Sequence, residues 1–273
     1  MVKILVTKTL LFLLLTVDIP MVLASPHISQ DELKKSCEES NAEACIELGN
    51  LYYEGEKVEL DYSKAANFFK KACGIGSAKG CSLLGYSYKK GKGVSQDHFK
   101  AQELYLKACN KGYATGCYNV GNAYIKGNGV KKNHIKAAEL YQKSCDLGGE
   151  YACVTLGIMY KDGNKGIKQD YFKAAELYQI ACNKDDAGGC SRLGVLYRKG
   201  LGVKQDYDKA RQFFQKSSSF GYAIGYFNLG IIYFNGEGVS VNKEKAKKLF
   251  KKACNKGQKL GCKNYKKLVE TEL

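Results

Sequence analysis

The chain is poor in proline and histidine, and both shortages narrow the kind of protein it can be. Only 2 prolines occur in 273 residues, beside 30 glycines. Because proline interrupts helices and glycine allows tight turns, this balance indicates many helices joined by short turns. The three histidines, His27, His98 and His134, are too scattered to complete a zinc site with the cysteines, so we expect no metal and no cofactor.

Arginine is scarce as well. Arg192, Arg198 and Arg211 are the only arginines among 43 basic residues, although the formal net charge is +16. Proteins that read bases and phosphates favour arginine for its paired hydrogen bonds, so this lysine-rich charge indicates a solvated basic surface. We therefore expect no nucleic-acid partner. Acidic proteins and anionic glycans are compatible with such a surface.

The apolar run near the N-terminus is too short for a membrane anchor. It covers residues 10–17, well short of the roughly 20 residues that span a bilayer. Lys3 and Lys8 precede it, and the small-residue stretch 22–24 follows it. This is the pattern of a signal peptide, residues 1–24, that is removed on export. The sequence therefore predicts a secreted or periplasmic protein with no transmembrane segment after cleavage.

Cysteine, in contrast, is abundant and regularly placed. The 12 cysteines form pairs that are eight residues apart, and the pairs recur every 36 or 37 residues. One gap of 72 residues lacks a pair, which would fall at Ser218 and Tyr226. The pairs are Cys37 and Cys45, Cys73 and Cys81, Cys109 and Cys117, Cys145 and Cys153, Cys182 and Cys190, and Cys254 and Cys262.

The eight-residue spacing favours a local disulfide within each pair. On one straight helix the two cysteines would be about 12 Å apart, whereas a disulfide needs Cα atoms within about 7 Å. Glycines between the cysteines allow the chain to reverse there, so each bridge would join the end of one helix to the start of the next. The alternative is metal binding, but zinc sites usually use closer Cys-x-x-Cys pairs. An exported chain also meets the oxidising conditions in which disulfides persist.

The residues after each second cysteine repeat too, as in Leu84-Gly85 and Tyr88 after Cys81. Positions 0, 3, 4 and 7 share one face of a helix, so each unit begins with a first helix that buries this stripe. The glycine costs about 1 kcal/mol of helix propensity, so its regular return indicates the close approach of another helix.

A Gly-x-Gly-Val loop follows the first helix, as at residues 91–94. Its recurrence in almost every unit indicates a turn, not a phosphate site. A capping residue then opens a second helix in each unit. These caps are Asp61, Asp97, Asn133, Asp170, Asp206 and Asn242.

The combined pattern of Leu-Gly, Tyr, Gly-x-Gly-Val, Asp-Tyr-x-Lys-Ala and Lys-Ala-Cys resembles the Sel1-like repeat family. With its paired cysteines, it resembles the Helicobacter cysteine-rich proteins in particular. Stacked units of this kind predict an all-α fold, a disulfide-bridged α/α solenoid (superhelix) of Sel1-like or TPR-like helical hairpins. We expect a half repeat at residues 25–43, six hairpin repeats at 44–254 and a capping helix at 255–273.

The resemblance implies two functions. Sel1-like repeat proteins act as binding scaffolds for partner proteins, whereas the cysteine-rich subgroup is associated with penicillin binding or β-lactamase activity. A serine β-lactamase needs a Ser-x-x-Lys and a Lys-Thr-Gly element. The chain has a Ser-x-x-Lys at Ser87 and Lys90 but no Lys-Thr-Gly, and we interpret Ser87 as a helix-surface serine. No catalytic residue is assigned.

Variable positions on the first helices are the candidate binding residues. Positions 2, 5 and 9 after the cysteine project away from the buried stripe and differ from unit to unit. In hairpin solenoids the first helix commonly lines the concave surface, so these positions predict a groove. The residues chosen are Asn50, Tyr86, Asn119, Asn122, Arg192 and Asn228. The expected partner of a monomeric chain is a protein or peptide, with a peptidoglycan fragment or a β-lactam as further ligands.

Overall fold

The computed structural model describes residues 29–163 and 165–270, so the predicted signal peptide lies outside the described residues. The described part folds into fourteen α-helices, with no β-strand and with no helix long and apolar enough to cross a membrane. The helices are α1 Gln30–Glu38, α2 Ala42–Glu54, α3 Tyr62–Ile75, α4 Ala78–Lys90, α5 His98–Asn110, α6 Ala114–Lys126, α7 His134–Asp146, α8 Ala152–Asp162, α9 Tyr171–Asn183, α10 Ala187–Lys199, α11 Tyr207–Ser219, α12 Ala223–Asn235, α13 Lys243–Asn255 and α14 Lys259–Glu270.

The helices form a single row of hairpins. Each helix packs chiefly on its neighbours in the chain, and α4 also contacts α6, as α10 contacts α12. We call the even-numbered helices the first helices of the units and the odd-numbered helices from α3 to α13 the second helices. This arrangement confirms the predicted all-α solenoid, in which each unit is stabilised by the units before and after it.

Each second helix begins at its predicted capping residue. The side chain of that residue accepts a hydrogen bond from the backbone N–H three residues later, at 2.8–3.0 Å. The backbone N–H of the same residue donates to the carbonyl of the repeated tyrosine on the first helix, as from Asp97 to Tyr88 at 3.0 Å. These two bonds fix the turn of every hairpin, which confirms the predicted caps. The N-terminal helix is capped in the same manner by Ser29, whose capping box with Glu32 is complete.

A lysine three residues after each cap lies over the ring of the same tyrosine. The ammonium nitrogen is 3.9–5.7 Å from the ring centroid, a cation–π contact that ties the two helices of a unit together. The pairs are Lys64 with Tyr52, Lys100 with Tyr88, Lys136 with Tyr124, Lys173 with Tyr160, Lys209 with Tyr197, and Lys245 with Tyr233.

The repeated glycine of the first helix contacts an aromatic ring on the second helix in all six units. The ring occupies the space that a side chain would need at the glycine position, so the two helices approach closely. The pairs are Gly49 with Phe69, Gly85 with Tyr105, Gly121 with Tyr141, Gly157 with Tyr178, Gly194 with Phe214, and Gly230 with Phe250. The close approach predicted from the sequence is therefore confirmed.

All six predicted disulfides are present, and they leave no free cysteine in the described part of the chain. They join Cys37 to Cys45, Cys73 to Cys81, Cys109 to Cys117, Cys145 to Cys153, Cys182 to Cys190, and Cys254 to Cys262. Each spans the turn that leads into an even-numbered helix, from α1 in the first case and from a second helix in the others, with Cα atoms 4.4–4.9 Å apart. The bridges therefore staple neighbouring units together.

The turn from α11 to α12 has no bridge. Ser218 and Tyr226 occupy the two cysteine positions. The hydroxyl of Ser217 donates to the carbonyl of Ala187 at 2.8 Å, and that of Ser218 donates within its own helix to Gln215 at 2.9 Å. Among the described turns that lead from one unit to the next, this is the one without a disulfide.

Candidate binding groove on the first helices

The six predicted groove residues all lie on first helices. Asn50 is on α2, Tyr86 on α4, Asn119 and Asn122 on α6, Arg192 on α10 and Asn228 on α12. Tyr86 is the most exposed of them, at 38%, and Asn50, Asn119, Asn122 and Arg192 are half-buried. Helix α4 contacts α6, so Tyr86 lies on a helix next to that of Asn119 and Asn122. Helix α10 likewise contacts α12, which places Arg192 and Asn228 on neighbouring helices.

Three of the six residues make side-chain hydrogen bonds within the protein, and the ring of Tyr86 packs edge-on against that of Tyr53. Asn228 is only 7% exposed, and its side-chain amide donates to the hydroxyl of Ser191 on the preceding first helix at 3.3 Å. Asn122 accepts a hydrogen bond from the hydroxyl of Tyr141 at 3.0 Å. The guanidinium of Arg192 donates to the carbonyl of Gly188 within its own helix at 3.2 Å. Asn228 therefore serves the contact between two units, not the surface.

A cleft lies between α4 and α6, with α5 as its floor. We call it the α4–α6 cleft. Its cavity volume is only about 20 Å³, roughly the space for one water molecule. It is lined by Lys89, His98, Ala101, Gln102, Tyr105, Asn119, Asn122, Ala123, Lys126 and Asn128. Both asparagines predicted on α6 are among these residues, so the structure concentrates part of the predicted groove at one place.

The floor of the cleft contains two polar atoms that have no hydrogen-bond partner among the described residues. They are the Oε1 atom of Gln102 and the hydroxyl of Tyr105. Gln102 is 9% exposed and Tyr105 only 2% exposed. Burying a polar atom without a partner costs about 1–3 kcal/mol. The sequence argument missed both residues because it considered only the first helices.

The mouth of the cleft is positively charged. Lys89 and Lys126 line it, and neither ammonium group has an ion pair in the part of the chain that the structure describes. Burial lowers the pKa of Lys89 below its usual value, and the nearby charges of Lys126 and Lys90 lower that pKa further. The site is therefore suited to an anionic group and has none of its own.

The structure corrects the interpretation of Ser87. It is not a surface serine, because it is 1% exposed and its hydroxyl donates to the carbonyl of Leu83 at 3.2 Å. A buried hydroxyl that is already bonded to its own helix is not accessible to a β-lactam.

The described residues contain no group of three or more histidine, cysteine or acidic side chains that could hold a metal ion.

The six disulfides indicate the compartment in which the chain folds. Bridges of this number persist under oxidising conditions and are rare in the cytosol. The six disulfides therefore indicate an extracytoplasmic protein.

Comparison with known proteins identifies the repeats. No curated protein sequence matches the chain. The solved structures include c5321, described as a protective antigen of uropathogenic Escherichia coli with an SLR fold. It is 31% identical, with a TM-score of 0.77 over 85% of this chain and 49% of that one, so this chain spans about half its length. A Sel1 repeat protein from Oxalobacter formigenes is 29% identical, with a TM-score of 0.66 over 83% of this chain and 88% of that one.

A third solved structure is Helicobacter pylori cysteine rich protein B. It is 32% identical over 47% of this chain and 98% of that one, with a TM-score of 0.38.

A family model matches most of the chain and confirms the predicted resemblance. Six segments match the Sel1 repeat, at residues 42–77, 78–113, 114–149, 151–186, 187–221 and 223–258. Each matched segment contains one first helix and the second helix that follows it. Helical-repeat scaffolds of this architecture bind other proteins along extended surfaces. With six such repeats in one continuous row, the chain belongs to the Sel1 repeat family.

Proposed function

We propose that the chain is an exported scaffold that binds protein or peptide partners along a groove formed by its first helices. The observation that carries this proposal is that each first helix has one face of repeated, buried residues and another face of variable residues. Positions that repeat, the leucine and glycine, are buried against the second helix, as for Leu156 and Gly157. Positions that vary keep contact with solvent in every unit except at Asn228, as for Asn119 and Tyr86.

Polar groups that the fold does not use support the same proposal. Asn119 makes no hydrogen bond among the described residues, so its amide is available both to donate and to accept. Tyr86 presents its ring at the surface of α4, and tyrosine is among the residue types enriched at binding hot spots. An extended peptide exposes one backbone hydrogen-bond donor and one acceptor per residue. The amide of Asn119 can bond to both kinds of group.

Export is supported by two independent features. Residues 1–24 have the sequence pattern of a cleaved signal peptide, and the folded part is bridged at six places. Together they support a secreted or periplasmic location. A β-lactamase activity is not part of the proposal, because Ser87 is buried and the chain lacks a Lys-Thr-Gly element.

Capture of a partner by the oxidised chain, followed by titration of that partner against variants, tests the proposal. Asn119→Ala together with Asn122→Ala should weaken binding about tenfold, on the order of 1.4 kcal/mol. Asn119→Ala alone is the cleaner variant, since Asn122 also accepts from Tyr141 and its loss affects stability.

The matched control is Lys143→Glu, an exposed position on the second helix α7. It should leave binding nearly unchanged. If Lys143→Glu abolishes binding while the asparagine variants do not, partners use the other face and the proposed groove is wrong.

A further inference from the structure

Three large apolar side chains form a row along one edge of the solenoid, away from the groove on the first helices. Phe99, Ile135 and Phe172 each lie two residues after the cap of a second helix, on α5, α7 and α9. They are 72%, 51% and 60% exposed. Single exposed apolar side chains are common, but one position that repeats in three consecutive units marks an interaction surface. We call this row, together with the turns beside it, the turn edge.

The fold does not require an apolar residue at this position. The same position carries Ser63 on α3, Asp208 on α11 and Glu244 on α13, and all three are exposed. The second helices of those units are capped in the same manner, so the apolar side chains do not serve the hairpin turn. The apolar row is therefore confined to the second, third and fourth units.

Lysines of the following unit lie beside the row. A glycine of the next turn lies against the backbone of Phe99, the side chain of Ile135 and the backbone of Phe172, namely Gly129, Gly166 and Gly202. These turns, residues 128–132, 165–169 and 201–205, contain no acidic residue and five exposed lysines: Lys131, Lys132, Lys165, Lys168 and Lys204. None of the five forms an ion pair with a residue that the structure describes. The turn edge therefore carries positive charge that the fold does not neutralise.

The middle of the row shows how closely these charges gather. Burial lowers the pKa of His134, the residue before Ile135, and the nearby charges of Lys165 and Lys132 lower that pKa further. These two lysines come from the turns of two different units. Positive charges from successive units therefore meet beside one apolar side chain.

Two open recesses lie along the turn edge, with cavity volumes of about 420 and 610 Å³. Each combines apolar side chains with lysines, Val130 with Lys131 and Lys132 in the smaller, and Ile167 and Phe172 with Lys168 in the larger. Asp170 is the one acidic residue among those that line them, and its carboxylate accepts from the backbone N–H of Lys173. Both recesses therefore suit a group that is anionic at one end and apolar at the other.

The combination of charge and apolar tips selects the occupant of this edge. A second copy of the chain placed edge to edge would bring lysines against lysines, which is unfavourable. A bilayer that contains anionic lipids presents negative phosphates directly above an apolar layer, so it matches both features at once. Lysine suits such a surface because phosphates that move laterally need a charge nearby and no fixed paired geometry.

We propose that the turn edge of the second to fourth units docks on the surface of an anionic lipid bilayer. Phe99, Ile135 and Phe172 enter the boundary between headgroups and acyl chains, and the five lysines contact the phosphates. The proposed groove shares no residue with this edge, so the inference does not depend on it.

The acidic residues of the same helices determine the orientation on the bilayer. Exposed glutamates lie four residues after each apolar side chain, namely Glu103, Glu139 and Glu176. At 1.5 Å per residue they are about 6 Å further along the helix axis. A bilayer along the sides of these helices would repel the glutamates, whereas one at their N-terminal ends avoids them. The second helices therefore stand upright on the surface.

Co-sedimentation of the full, oxidised chain with vesicles tests this inference. Vesicles of equal parts phosphatidylcholine and phosphatidylglycerol should bind it at least about tenfold more tightly than phosphatidylcholine alone. Phe99→Ser combined with Phe172→Ser should weaken that binding about tenfold or more, with an unchanged melting temperature, because Ser63 occupies this position in the first unit. Lys131→Gln combined with Lys132→Gln should have a similar effect. Every variant keeps the N-terminal region unchanged, so differences from the parent chain report the turn edge alone.

Matched controls lie on the same and on a neighbouring second helix. Leu106 is on α5 seven residues after Phe99, on the same face, and is 44% exposed. Leu106→Ser should leave vesicle binding unchanged, because the side of the helix does not touch the bilayer. Lys70→Gln combined with Lys71→Gln removes the same charge from α3 and should also leave binding unchanged.

The absence of tryptophan from the chain allows a direct measurement of insertion. Phe172→Trp places a single tryptophan in the row, and its emission should shift to the blue with anionic vesicles and be quenched by brominated lipid. Leu106→Trp should show neither change. Quenching of both tryptophans to the same extent would mean that the sides of the helices lie on the bilayer, which overturns the proposed orientation.

Equal binding to both kinds of vesicle, or no binding to either, overturns the docking surface. Size-exclusion chromatography of the parent chain without lipid tests a second copy as the occupant. A dimer that the two serine substitutions abolish, in a chain that binds no vesicles, would show that this edge is an interface between copies. None of these results bears on the groove, because capture of a protein partner is measured in the absence of lipid.

Discussion

Gly121 on α6 lies directly against the ring of Tyr141 on α7. A methyl group added to this glycine would lie 2.7 Å from the Cε1 atom of the tyrosine and 2.9 Å from its Cδ1 atom. Carbon atoms in contact prefer about 3.5–4.0 Å, so no side chain fits between the two helices. The same contact holds each hairpin of the solenoid together, with tyrosine or phenylalanine as the ring.

Replacing Gly121 with alanine should therefore destabilise the chain. The expected loss is about 1–3 kcal/mol of unfolding free energy from overpacking, which outweighs the gain of about 1 kcal/mol in helix propensity. Urea unfolding measures it. Gly74→Ala is the matched control, because this glycine is inside α3 with nothing within 4 Å of an added methyl group. It should be neutral or stabilising. A similar effect of both changes would mean that the Gly121 contact tolerates a side chain.

Restoring the missing bridge should stabilise the sixth repeat. Ser218→Cys combined with Tyr226→Cys recreates the eight-residue spacing of the other pairs and should add roughly 2–3 kcal/mol under oxidising conditions. The loss of the contact between Lys252 and the ring of Tyr226 subtracts part of this gain. Thermal unfolding of the oxidised double variant, compared with the oxidised parent chain, gives the bridge contribution. A bridge that forms without raising the melting temperature contradicts the prediction.

Hydrogen exchange should locate the weakest part of the parent chain. We expect amides in residues 205–240 to exchange faster than those in the second to fourth repeats, because the turn from α11 to α12 has no disulfide. Nearest-neighbour coupling in solenoids keeps such local opening local. Exchange followed by mass spectrometry reports it peptide by peptide. Uniform protection along all repeats would show that the missing bridge has no local effect.

The buried tyrosines should make stability sensitive to alkaline pH. Burial raises the pKa of Tyr178 to about 12, and its hydroxyl has no partner among the described residues. A tyrosine whose pKa is raised on folding contributes stability that is complete below its unfolded pKa, about 10, and is lost as the pH rises toward 12. Tyr178→Phe should reduce this loss without lowering stability at neutral pH.

Tyr141→Phe is the companion variant. Burial raises the pKa of Tyr141 as well, but its hydroxyl donates to Asn122, so its removal should cost about 0.5–1.5 kcal/mol at neutral pH. Urea unfolding at a series of pH values compares the two. An alkaline loss that is identical in the parent chain and in Tyr178→Phe would contradict the role assigned to that hydroxyl.

The cysteine spacing was sufficient to predict the fold. Two cysteines eight residues apart can bond only if the chain reverses, and the glycines and the capping residues, such as Asp97, gave the limits of each hairpin. The position of the repeated glycine also predicted close packing. These features depend on contacts between residues that are close in the chain, and such contacts recur in every unit and are visible in the repeated sequence.

The candidate site was less predictable because it depends on contacts between units. Asn228 shares its repeat position with the half-buried Asn119, yet it is buried against Ser191 of the preceding unit. Ser87 lies at the position of Leu196 and Ile232, a signal that should have placed it inside. Gln102 could have been found as the one glutamine at a position where three other units carry alanine.

The bridges also determine how the chain can be assembled. Every cysteine is bonded to a partner eight residues away, so the two members of each pair are close in the chain before it folds. A link between such near neighbours can close without any distant contact, and once it has closed, its thiols are no longer free for a wrong pairing. Oxidation can therefore proceed pair by pair without reshuffling. A repeat can also be gained or lost as a self-contained unit, since no link reaches beyond the junction it closes.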